Sequence, residues 1–389
     1  MEGLNELLEE LERMYERTPK HVDGSVLGSM TTWPHPVGVL AFLKFMHVNG
    51  GDPETFDVVS ECERGLVEGV GKLYGASAGI HTSGGTESNI LALFVARRTR
   101  KGGNNVVVAP STVHVSIEKA CELMGCRLVK VPADPLGPVD AGLLERYVRE
   151  HSPFAVVITA GTTEAGAVDP VEEAAELAEK YGFHLHVDAA YGGLIIPFLR
   201  KHGLLDVDLR VGRGVASLSV DMHKLGGAPI PSGLLFFEDD ELLEAACFRA
   251  AYMPSGRICG LLGTRPGGAV VASYFTWRAV GVSGYENNAL RLMELAKALH
   301  DGLRTIEGIE AFPYTLPILV FRSKLMDPEE LARELRNRGL HLYRAPSVGG
   351  LRVVLMPHHQ RKHVDRLLKL LAEIHQRSPG NLGGSTPAL

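Results

Sequence analysis

Between residues 60 and 240, short apolar runs alternate with amphipathic stretches, and this alternation constrains the fold more than any other feature of the sequence. The apolar runs are candidate β-strands: VVVA (106–109), RLVKV (127–131), AVVIT (155–159), FHLHVD (183–188), GVASLSV (214–220) and SGLLFF (232–237). The stretches between them, such as VEEAAELAEKYG (171–182), have the apolar spacing of helices. Strands that alternate with helices are typical of a mostly parallel sheet with helices on both faces, so the sequence predicts an α/β fold.

The pattern changes after residue 285. A long helical stretch is followed by the apolar run PILVF (317–321), a second helix, the run LRVVLM (351–356) and a last helix, which predicts a small α+β domain. A chain of 389 residues is long enough for two packed units. We expect four segments: an N-terminal helical segment (1–50), a large domain (51–285), a small domain (286–377) and a disordered Pro/Gly/Ser-rich tail (378–389).

Composition narrows the classes of partner. The net charge of −6 gives no general attraction for nucleic acid, and no stretch of about 20 apolar residues offers a membrane span. The N-terminus reads as an acidic amphipathic helix and not as a signal peptide. The spacing of the five cysteines matches no zinc or thioredoxin motif, so we expect reduced thiols, no metal and a cytoplasmic location. The cysteines are Cys62, Cys121, Cys126, Cys247 and Cys259.

Polar residues stand before one predicted helix and after one predicted strand, and open α/β sheets bind ligands at the ends of their strands. The run Ser83-Gly84-Gly85-Thr86 precedes an amphipathic helix, where free N–H groups and the helix dipole can hold a phosphate. The alternative is a glycine turn that only caps the helix. His114 follows the 106–109 run near the start of another helix. It is either a capping or core histidine or a ring that stacks on a ligand.

Two further strand ends carry a carboxylate and an amine. Asp188 ends a strand that reads as buried, and a buried carboxylate needs a cation such as a protonated pyridine nitrogen. Ala190 is small enough to let a flat ring lie beside it. Lys224 follows the next strand among apolar and small residues, which favours the neutral amine that forms imines, and His223 can donate to a phosphate. The alternatives are a capping aspartate and a solvated lysine.

The order SGGTESN, H-x-S, GTTEAGAVDP, HVDAAYGG and DMHK resembles the group II pyridoxal-phosphate decarboxylases. The segments GSMTTWPHP (28–36), NGGDPETF (49–56), LLGTRPGG (261–268) and LRVVLMPHH (351–359) are similar to the archaeal L-tyrosine/L-aspartate decarboxylase family, and more distantly to the sphingosine-phosphate lyases. The resemblance covers residues 25–375. It implies the fold-type-I PLP-dependent transferase fold, with a mostly parallel seven-stranded sheet and a small C-terminal α+β domain.

The resemblance also implies roles for the cofactor residues. It makes Lys224 the Schiff-base lysine of pyridoxal 5'-phosphate, places Asp188 at the pyridine nitrogen and stacks His114 on the ring. The other residues that it places around the cofactor are Gly85, Thr86 and His223 at the phosphate, Thr163 near cofactor or substrate, and His186 as a support. Gly263 and Thr264 match a loop that reaches the phosphate of a neighbouring subunit, which implies a homodimer with shared active sites.

The implied reaction is loss of CO2 from an L-amino acid, for which the cofactor is the electron sink. Tyr252 is a candidate proton donor or a packing tyrosine, and Arg352 a candidate carboxylate ligand or a surface arginine. Asn49 and His35 are further candidates for binding the substrate. The second carboxylate of aspartate could also be bound by Lys44, His47 or Arg257, and the tyrosine ring could fit beside Trp33 and Phe45. The family has Cys or Ser near Thr31-Thr32-Trp33, so the substrate stays open between aspartate and tyrosine.

Four other activities of similar chains remain alternatives. A sphingosine-phosphate-type lyase would need cations for a second phosphate, and an aminotransferase would form a keto acid without CO2. A cysteine desulfurase would need a mobile thiol, for which only Cys259 is placed. A tRNA-dependent cysteine-forming enzyme or a non-catalytic relative would bind RNA or nothing. The acidic charge disfavours RNA, and the presence of both Lys224 and Asp188 disfavours an inactive protein.

Overall fold

A computed structural model describes residues 3–100 and 104–376, and a seven-stranded sheet forms its centre. The strands are β1 (Ala78–Thr82), β2 (Asn104–Pro110), β3 (Arg127–Val131), β4 (Pro153–Thr159), β5 (His184–Asp188), β6 (Val215–Val220) and β7 (Gly233–Phe237), in the order β1-β7-β6-β5-β4-β2-β3. The run β6-β5-β4-β2-β3 is parallel, and β7 is antiparallel to both of its neighbours. The predicted α/β fold with a mostly parallel seven-stranded sheet is confirmed.

Helices cover both faces of this sheet. They are α3 (Asp57–Gly71), α4 (Gly85–Thr99), α5 (Val115–Met124), α6 (Ala141–His151), α7 (Val171–Tyr181), α8 (Ile196–Lys201) and α9 (Asp240–Glu244). Every residue of β4 and β5 is buried, as expected for central strands with helices on both sides. Because the strands run in parallel, their carboxyl ends lie at one edge of the sheet, and the polar residues that follow them can meet there.

A long helix leads from the large sheet to a second, smaller one. Helix α10 (Gly267–Leu303) is kinked at Gly281, whose positive φ of 65° suits glycine. The small sheet has the antiparallel order β10-β11-β13-β12. The strands of this sheet and the helices beside it are β10 (Ile309–Ala311), β11 (Ile318–Ser323), α11 (Pro328–Asn337), β12 (Tyr343–Ala345), β13 (Gly350–Val354) and α12 (Arg361–Gln376). The predicted boundary at residue 285 falls within α10 and stays a prediction, and the tail 378–389 lies outside the described residues.

Two N-terminal helices expose apolar side chains. Helix α1 (Leu4–Arg17) has no buried residue, and its leucines at positions 4, 7, 8 and 11 are between 47% and 72% exposed. These positions form one stripe of a helix, since they recur every three or four residues. Helix α2 (Pro36–Phe45) packs against α10 and leaves Val39, Leu40 and Leu43 exposed on its other side.

A disulfide corrects one expectation from the sequence. Strands β8 (Cys247–Arg249) and β9 (Arg257–Cys259) form an antiparallel hairpin in which Cys247 and Cys259 are register partners. The two cysteines are bonded to each other, so the prediction of reduced thiols is wrong for this pair. They are 12 residues apart in the chain, and only the hairpin register brings them together. Cys62, Cys121 and Cys126 are free.

Two kinds of feature are missing from residues 3–100 and 104–376. No helix there combines the length and the apolar character that a membrane crossing requires. In the same residues, no three His, Cys, Asp or Glu side chains are grouped so that they could hold a metal ion.

Candidate active site

A cavity of about 340 Å3 opens at the carboxyl edge of the large sheet. It is lined by loops that follow β1, β2, β4, β5 and β6, and by one residue of β13. Eleven residues singled out from the sequence line it: Ser83, Gly84, Gly85, Thr86, His114, Thr163, Asp188, Ala190, His223, Lys224 and Arg352. A second cavity of about 750 Å3 shares His114, Thr163 and Arg352 with the first, so the two adjoin.

Lys224 lies in the loop after β6 and makes an ion pair inside the cavity. Its Nζ is 2.9 Å from Oδ2 of Asp221, whose side chain is only 2% exposed. The other oxygen of Asp221, Oδ1, is buried and has no hydrogen-bonding partner among residues 3–100 and 104–376. The lysine side chain is 18% exposed, so it reaches the cavity and not bulk solvent. The sequence analysis missed Asp221, although it is the first residue of the DMHK run.

Asp188 ends β5 with its carboxylate buried at the base of the cavity. Oδ2 accepts a hydrogen bond of 2.8 Å from Asn89 Nδ2, and Oδ1 accepts one of 3.1 Å from the backbone N–H of Ala190. Ser219 Oγ lies 3.3 Å from Oδ1. Within the described residues, no Lys, Arg or His forms an ion pair with this carboxylate. A buried anion with neutral donors only is suited to a cationic ligand.

A chain of buried polar groups orients Asn89. Its Oδ1 is 2.9 Å from His186 Nε2, His186 Nδ1 is 2.8 Å from Ser217 Oγ, and that oxygen is 2.8 Å from His184 Nε2. Burial lowers the pKa of His186 to about 4, so its ring is neutral near pH 7. A carboxylate only accepts hydrogen bonds, so the NH2 group of Asn89 must face Asp188. His186 thus supports the site through Asn89, which the sequence analysis missed inside the SGGTESN run.

His114 borders the cavity from the first turn of α5. It is the N-cap residue, and its Nδ1 accepts the backbone N–H of Ser116 at 3.2 Å. Burial lowers its pKa, although the charge of Asp188 opposes this shift. Because its Nδ1 accepts a hydrogen bond and burial lowers its pKa, His114 has a neutral imidazole with a defined orientation at the cavity wall. Its stacking on a cofactor ring stays a prediction.

The glycine turn before α4 passes close to His223, Ala190 and Asp221. Gly84 has a φ of 127°, and a Cβ at this position would lie 2.5 Å from Cε1 of His223. A Cβ on Gly85 would lie 3.2 Å from the Cβ of Ala190. His223 Nδ1 accepts the backbone N–H of Ser232 at 3.1 Å, so in the neutral ring the hydrogen is on Nε2, the nitrogen nearer Asp221. The start of helix α4, with Thr86 in its first turn, adds free N–H groups and the positive end of the helix dipole.

Arg352 projects from β13 to the opposite side of the cavity. Its Nη1 donates to the backbone oxygen of Thr163, and its guanidinium carbon lies 5.8 Å from the centre of the Tyr343 ring. Its Nε is buried without a partner. Burial lowers the pKa of Arg352, which stays far above neutral pH as for any guanidinium. The side chain therefore presents a charged donor group between the two cavities.

Five other predicted site residues do not line the cavity of a single chain, and neither do the additional substrate candidates Trp33, Lys44, Phe45, His47 and Arg257. Tyr252 is 81% exposed in the turn of the β8–β9 hairpin, and Gly263 and Thr264 are exposed. Asn49 Oδ1 accepts the backbone N–H groups of Gly51 and Arg265, at 2.8 and 3.0 Å. His35 is the N-cap residue of α2. The roles assigned to these five residues stay predictions.

A buried ion pair fixes the loop that carries Gly263 and Thr264. Arg265 Nη1 and Nη2 lie 2.8 and 2.9 Å from the two carboxylate oxygens of Glu63 on α3. The same guanidinium donates to the backbone oxygens of His81 and Gly50, at 3.0 and 2.7 Å. Burial would raise the pKa of Glu63, but the charge and hydrogen bonds of Arg265 outweigh it and lower this pKa. The sequence analysis missed both residues, which lie 202 positions apart.

These groups together fit pyridoxal 5'-phosphate. That molecule has an aldehyde that reacts with an amine, an anionic phosphate, and a pyridine nitrogen that is cationic when protonated. The cavity offers an amine at Lys224, an anion cradle at Gly84 and Gly85, and at Asp188 a buried carboxylate without a cation. Ala190 adds little bulk between the cradle and Asp188.

Comparison with known proteins agrees with this fit. The pyridoxal-dependent decarboxylase conserved domain matches residues 56–324. A probable L-tyrosine/L-aspartate decarboxylase from Methanothermobacter thermautotrophicus is 36% identical over 361 residues, which cover 92% of this chain and 99% of the relative. An L-aspartate decarboxylase from Thermococcus kodakarensis is 35% identical over 379 residues, with 96% and 97% covered.

A solved structure has the same fold. The sphingosine-1-phosphate lyase of Burkholderia pseudomallei superposes with a TM-score of 0.87 at 24% identity, over 98% of this chain and 92% of the lyase. At that identity the likeness speaks for the fold alone, whereas the domain match and the archaeal relatives extend over most of the sequence. Together with a lysine, a buried aspartate and a glycine turn that suit the cofactor, they show that this chain belongs to the pyridoxal-dependent decarboxylase family.

Proposed function

We propose that this enzyme removes the α-carboxyl group of L-aspartate, L-tyrosine or both, which releases CO2 and forms β-alanine or tyramine. One observation carries the proposal: a single cavity contains Lys224, the buried carboxylate of Asp188 and the guanidinium of Arg352. The names of the archaeal relatives support these two substrates. Bound pyridoxal 5'-phosphate supplies an acceptor for the electron pair of the broken carbon–carbon bond.

Each residue around the cofactor has a separate task in this proposal. Lys224 would hold the cofactor through its aldehyde, and Asp188 would stabilise a protonated pyridine nitrogen. His114, oriented by Ser116, would contribute a neutral imidazole to the cofactor site. Gly85, Thr86 and His223 would bind the phosphate, where helix α4 begins. Thr163 would contact the cofactor or the substrate, and its own backbone oxygen accepts a hydrogen bond from Arg352.

Arg352 binds a carboxylate of the substrate. Its Nη1 donates to the backbone oxygen of Thr163, which leaves Nη2 as the terminal nitrogen that can donate to an incoming carboxylate oxygen. The adjoining cavity of about 750 Å3 gives the substrate side chain room beside Arg352. His35 and Asn49, in the N-terminal part of the chain, would also bind the substrate.

The α-carbon must receive a proton after CO2 leaves, and we assign this step to Tyr252. In one chain this residue is 81% exposed, so its hydroxyl reaches a cavity only if the hairpin meets a second subunit. The assignment therefore depends on assembly.

We also propose a homodimer with shared active sites. The exposed leucine stripe of α1 and the exposed apolar side chains of α2 are suited to burial against a second copy. The loop that carries Gly263 and Thr264 is exposed, and its anchor on Glu63 gives it a fixed shape to present to a neighbour. The cytoplasmic location expected from the sequence stays a prediction.

Mixing two inactive variants tests the shared site. Lys224→Ala lacks the amine, and Gly263→Trp blocks the loop. If the loop serves the neighbour's cofactor, one site of a mixed dimer draws both intact parts from different chains, so partial activity returns. A Glu173→Trp variant, altered at an exposed position of α7 away from the cavity, is the control. Lack of recovery in mixtures proven to exchange subunits would exclude the shared site.

Product analysis tests the reaction. The purified holoenzyme is incubated with L-aspartate, L-tyrosine and L-glutamate, each labelled with 13C in the α-carboxyl group, and Lys224→Ala is the control. We expect labelled CO2 and the matching amine from aspartate or tyrosine, and none from the control. A keto acid without CO2 would point to an aminotransferase and overturn the proposal.

A further inference from the structure

Residues 28–35, here called the wall segment, connect the small domain to the lysine loop. At one end, the backbone N–H of Gly28 donates to His341 O at 3.0 Å. Midway, Met30 lines the active-site cavity. At the other end, the backbone N–H of His35 donates to Gly227 O at 2.9 Å, and the N–H of Gly227 donates to Lys224 O at 3.2 Å. A displacement of the wall segment would therefore change the cavity.

Two histidines hold the middle of the wall segment: His21 Nε2 lies 3.0 Å from Thr31 Oγ1, and His358, which follows β13 in the PHH run, contacts Thr32 and Trp33. The Nδ1 atom of His358 lies 3.2 Å from the backbone N of Trp33 and 3.0 Å from Thr32 Oγ1. A backbone N–H can only donate, so Nδ1 must be the acceptor and the ring must carry its hydrogen on Nε2. That Nε2 is buried and has no hydrogen-bonding partner in the described part of the chain, which is energetically unfavourable.

The surroundings of His358 preserve the neutral ring. Burial lowers its pKa to about 2, and the nearby groups His359, His21, His363 and Arg291 act in the same direction. The ring centre of His359 is 4.1 Å away and that of His21 is 5.5 Å away, in an edge-to-face contact. Each would repel a proton on His358 when charged. Nδ1 of His358 is therefore a hydrogen-bond acceptor at neutral pH.

We propose that His358 is a positioning residue, which fixes the wall segment against the cavity and so sets the affinity for the amino acid substrate. The inference rests on the proposed function only in naming what enters the cavity. His358 is not among the residues that line the cavity, and it acts through Thr32, Trp33 and the neighbouring Met30. The alternative is a histidine that only stabilises the small domain.

Three variants separate these two roles. In His358→Asn, the amide oxygen can occupy the place of Nδ1 and accept the same two hydrogen bonds. In His358→Gln, the amide lies one carbon farther out, at the place of Nε2, so both bonds are lost. His375→Gln is the control, because His375 is also buried in the small domain, where it contacts Leu371 O and Ser323 Oγ, and does not touch the wall segment.

Trp33 reports on the wall segment without any substrate. The chain has two tryptophans, and Trp277 is buried in a stack on Tyr285, so Trp277→Phe leaves Trp33 as the only indole. Trp33 is 38% exposed when docked. In this background we expect His358→Gln to shift the Trp33 emission to longer wavelength and to increase its quenching by iodide. His358→Asn and His375→Gln should leave both signals unchanged.

Kinetics with the amino acid that the enzyme decarboxylates give the second readout. His358→Gln should raise KM about tenfold, as expected for two lost hydrogen bonds, with kcat within about threefold of the wild type. His358→Asn should restore KM to within about twofold. Thr32→Val removes one of the two donors and keeps the histidine, so it should raise KM by about threefold even if the Gln variant folds poorly.

Equal behaviour of the Asn and Gln variants would overturn the proposal, because a mere packing role does not depend on the place of an acceptor. So would a Trp33 signal that stays unchanged in His358→Gln. If none of the tested amino acids is decarboxylated, the proposed function fails, whereas the Trp33 measurement still decides whether His358 positions the wall segment.

Discussion

Replacement of Glu63 by glutamine should destabilise the protein by about 3 kcal/mol, because it leaves the buried charge of Arg265 without a counter-ion. The two side chains are only 16% and 11% exposed, and both carboxylate oxygens pair with the guanidinium. Glutamine keeps one acceptor oxygen, so the loss lies at the lower end of the range of about 3–5 kcal/mol for a broken buried pair. The same change should weaken cofactor binding, since Arg265 holds the loop of Gly263 and Thr264.

The assay is urea unfolding at fixed protein and cofactor concentrations. Asp365→Asn is the control, since its pair with Arg361 is more than half exposed on both sides and should contribute at most about 0.5 kcal/mol. A double-mutant cycle with Arg265→Gln should give a coupling of at least about 1 kcal/mol. If Glu63→Gln costs no more than Asp365→Asn, or if the cycle is additive, the ion pair does not anchor the loop.

The stabilisation by Glu63 should also depend on pH. Its pKa is lowered from the ordinary value of 4.5, so the contribution is fully present above that pH and is lost as the pH falls through the lower folded value. The difference in unfolding free energy between the wild type and Glu63→Gln should be constant from about pH 8 to pH 5 and shrink below about pH 4.5. A difference that grows on acidification would contradict the assigned sign.

Three further changes probe the active site. Asp188→Ala should keep the cofactor but lose most of the turnover, since a neutral pyridine is a poor electron acceptor; absorbance and kcat check this, and near-normal turnover would remove Asp188 from the mechanism. Asn89→Leu should lower kcat as well, because it removes the hydrogen bond of 2.8 Å to Asp188 and leaves His186 Nε2 unpaired. An unchanged kcat would refute the role of Asn89 in orienting Asp188. Arg352→Lys should raise KM about tenfold, since lysine lacks the forked donor, whereas Arg344→Lys should not; equal KM values would exclude Arg352 as a carboxylate ligand.

The sheet was predictable because the alternation of apolar and amphipathic stretches can be recognised within short segments of the sequence. Apolar runs separated by amphipathic stretches specify buried parallel strands, and six of the seven strands follow from that pattern. Strand β1 does not stand out, because its short sequence AGIHT includes a glycine and a histidine. In the fold it is an edge strand, whose place is specified by its pairing with β7.

The residues at strand ends were predictable for the same reason, whereas their partners were not. Lys224 and Asp188 follow adjacent parallel strands, so both reach the same edge of the sheet. Asn89 contacts Asp188 across 99 residues of sequence, and only the packing of α4 on the sheet brings them together. The Cys247–Cys259 bond likewise depends on hairpin register. Such contacts carry no local signal in a single sequence.

Borohydride reduction of the holoenzyme, followed by peptide mass analysis, tests the central claim that Lys224 holds pyridoxal 5'-phosphate. The cavity places its Nζ beside Asp221 and close to the glycine turn of Gly84 and Gly85. We predict a yellow protein that bleaches on reduction and carries the cofactor on the peptide that contains Lys224, and no reducible colour in Lys224→Ala. A reducible chromophore in Lys224→Ala, or a label on another lysine of the wild type, would contradict the account.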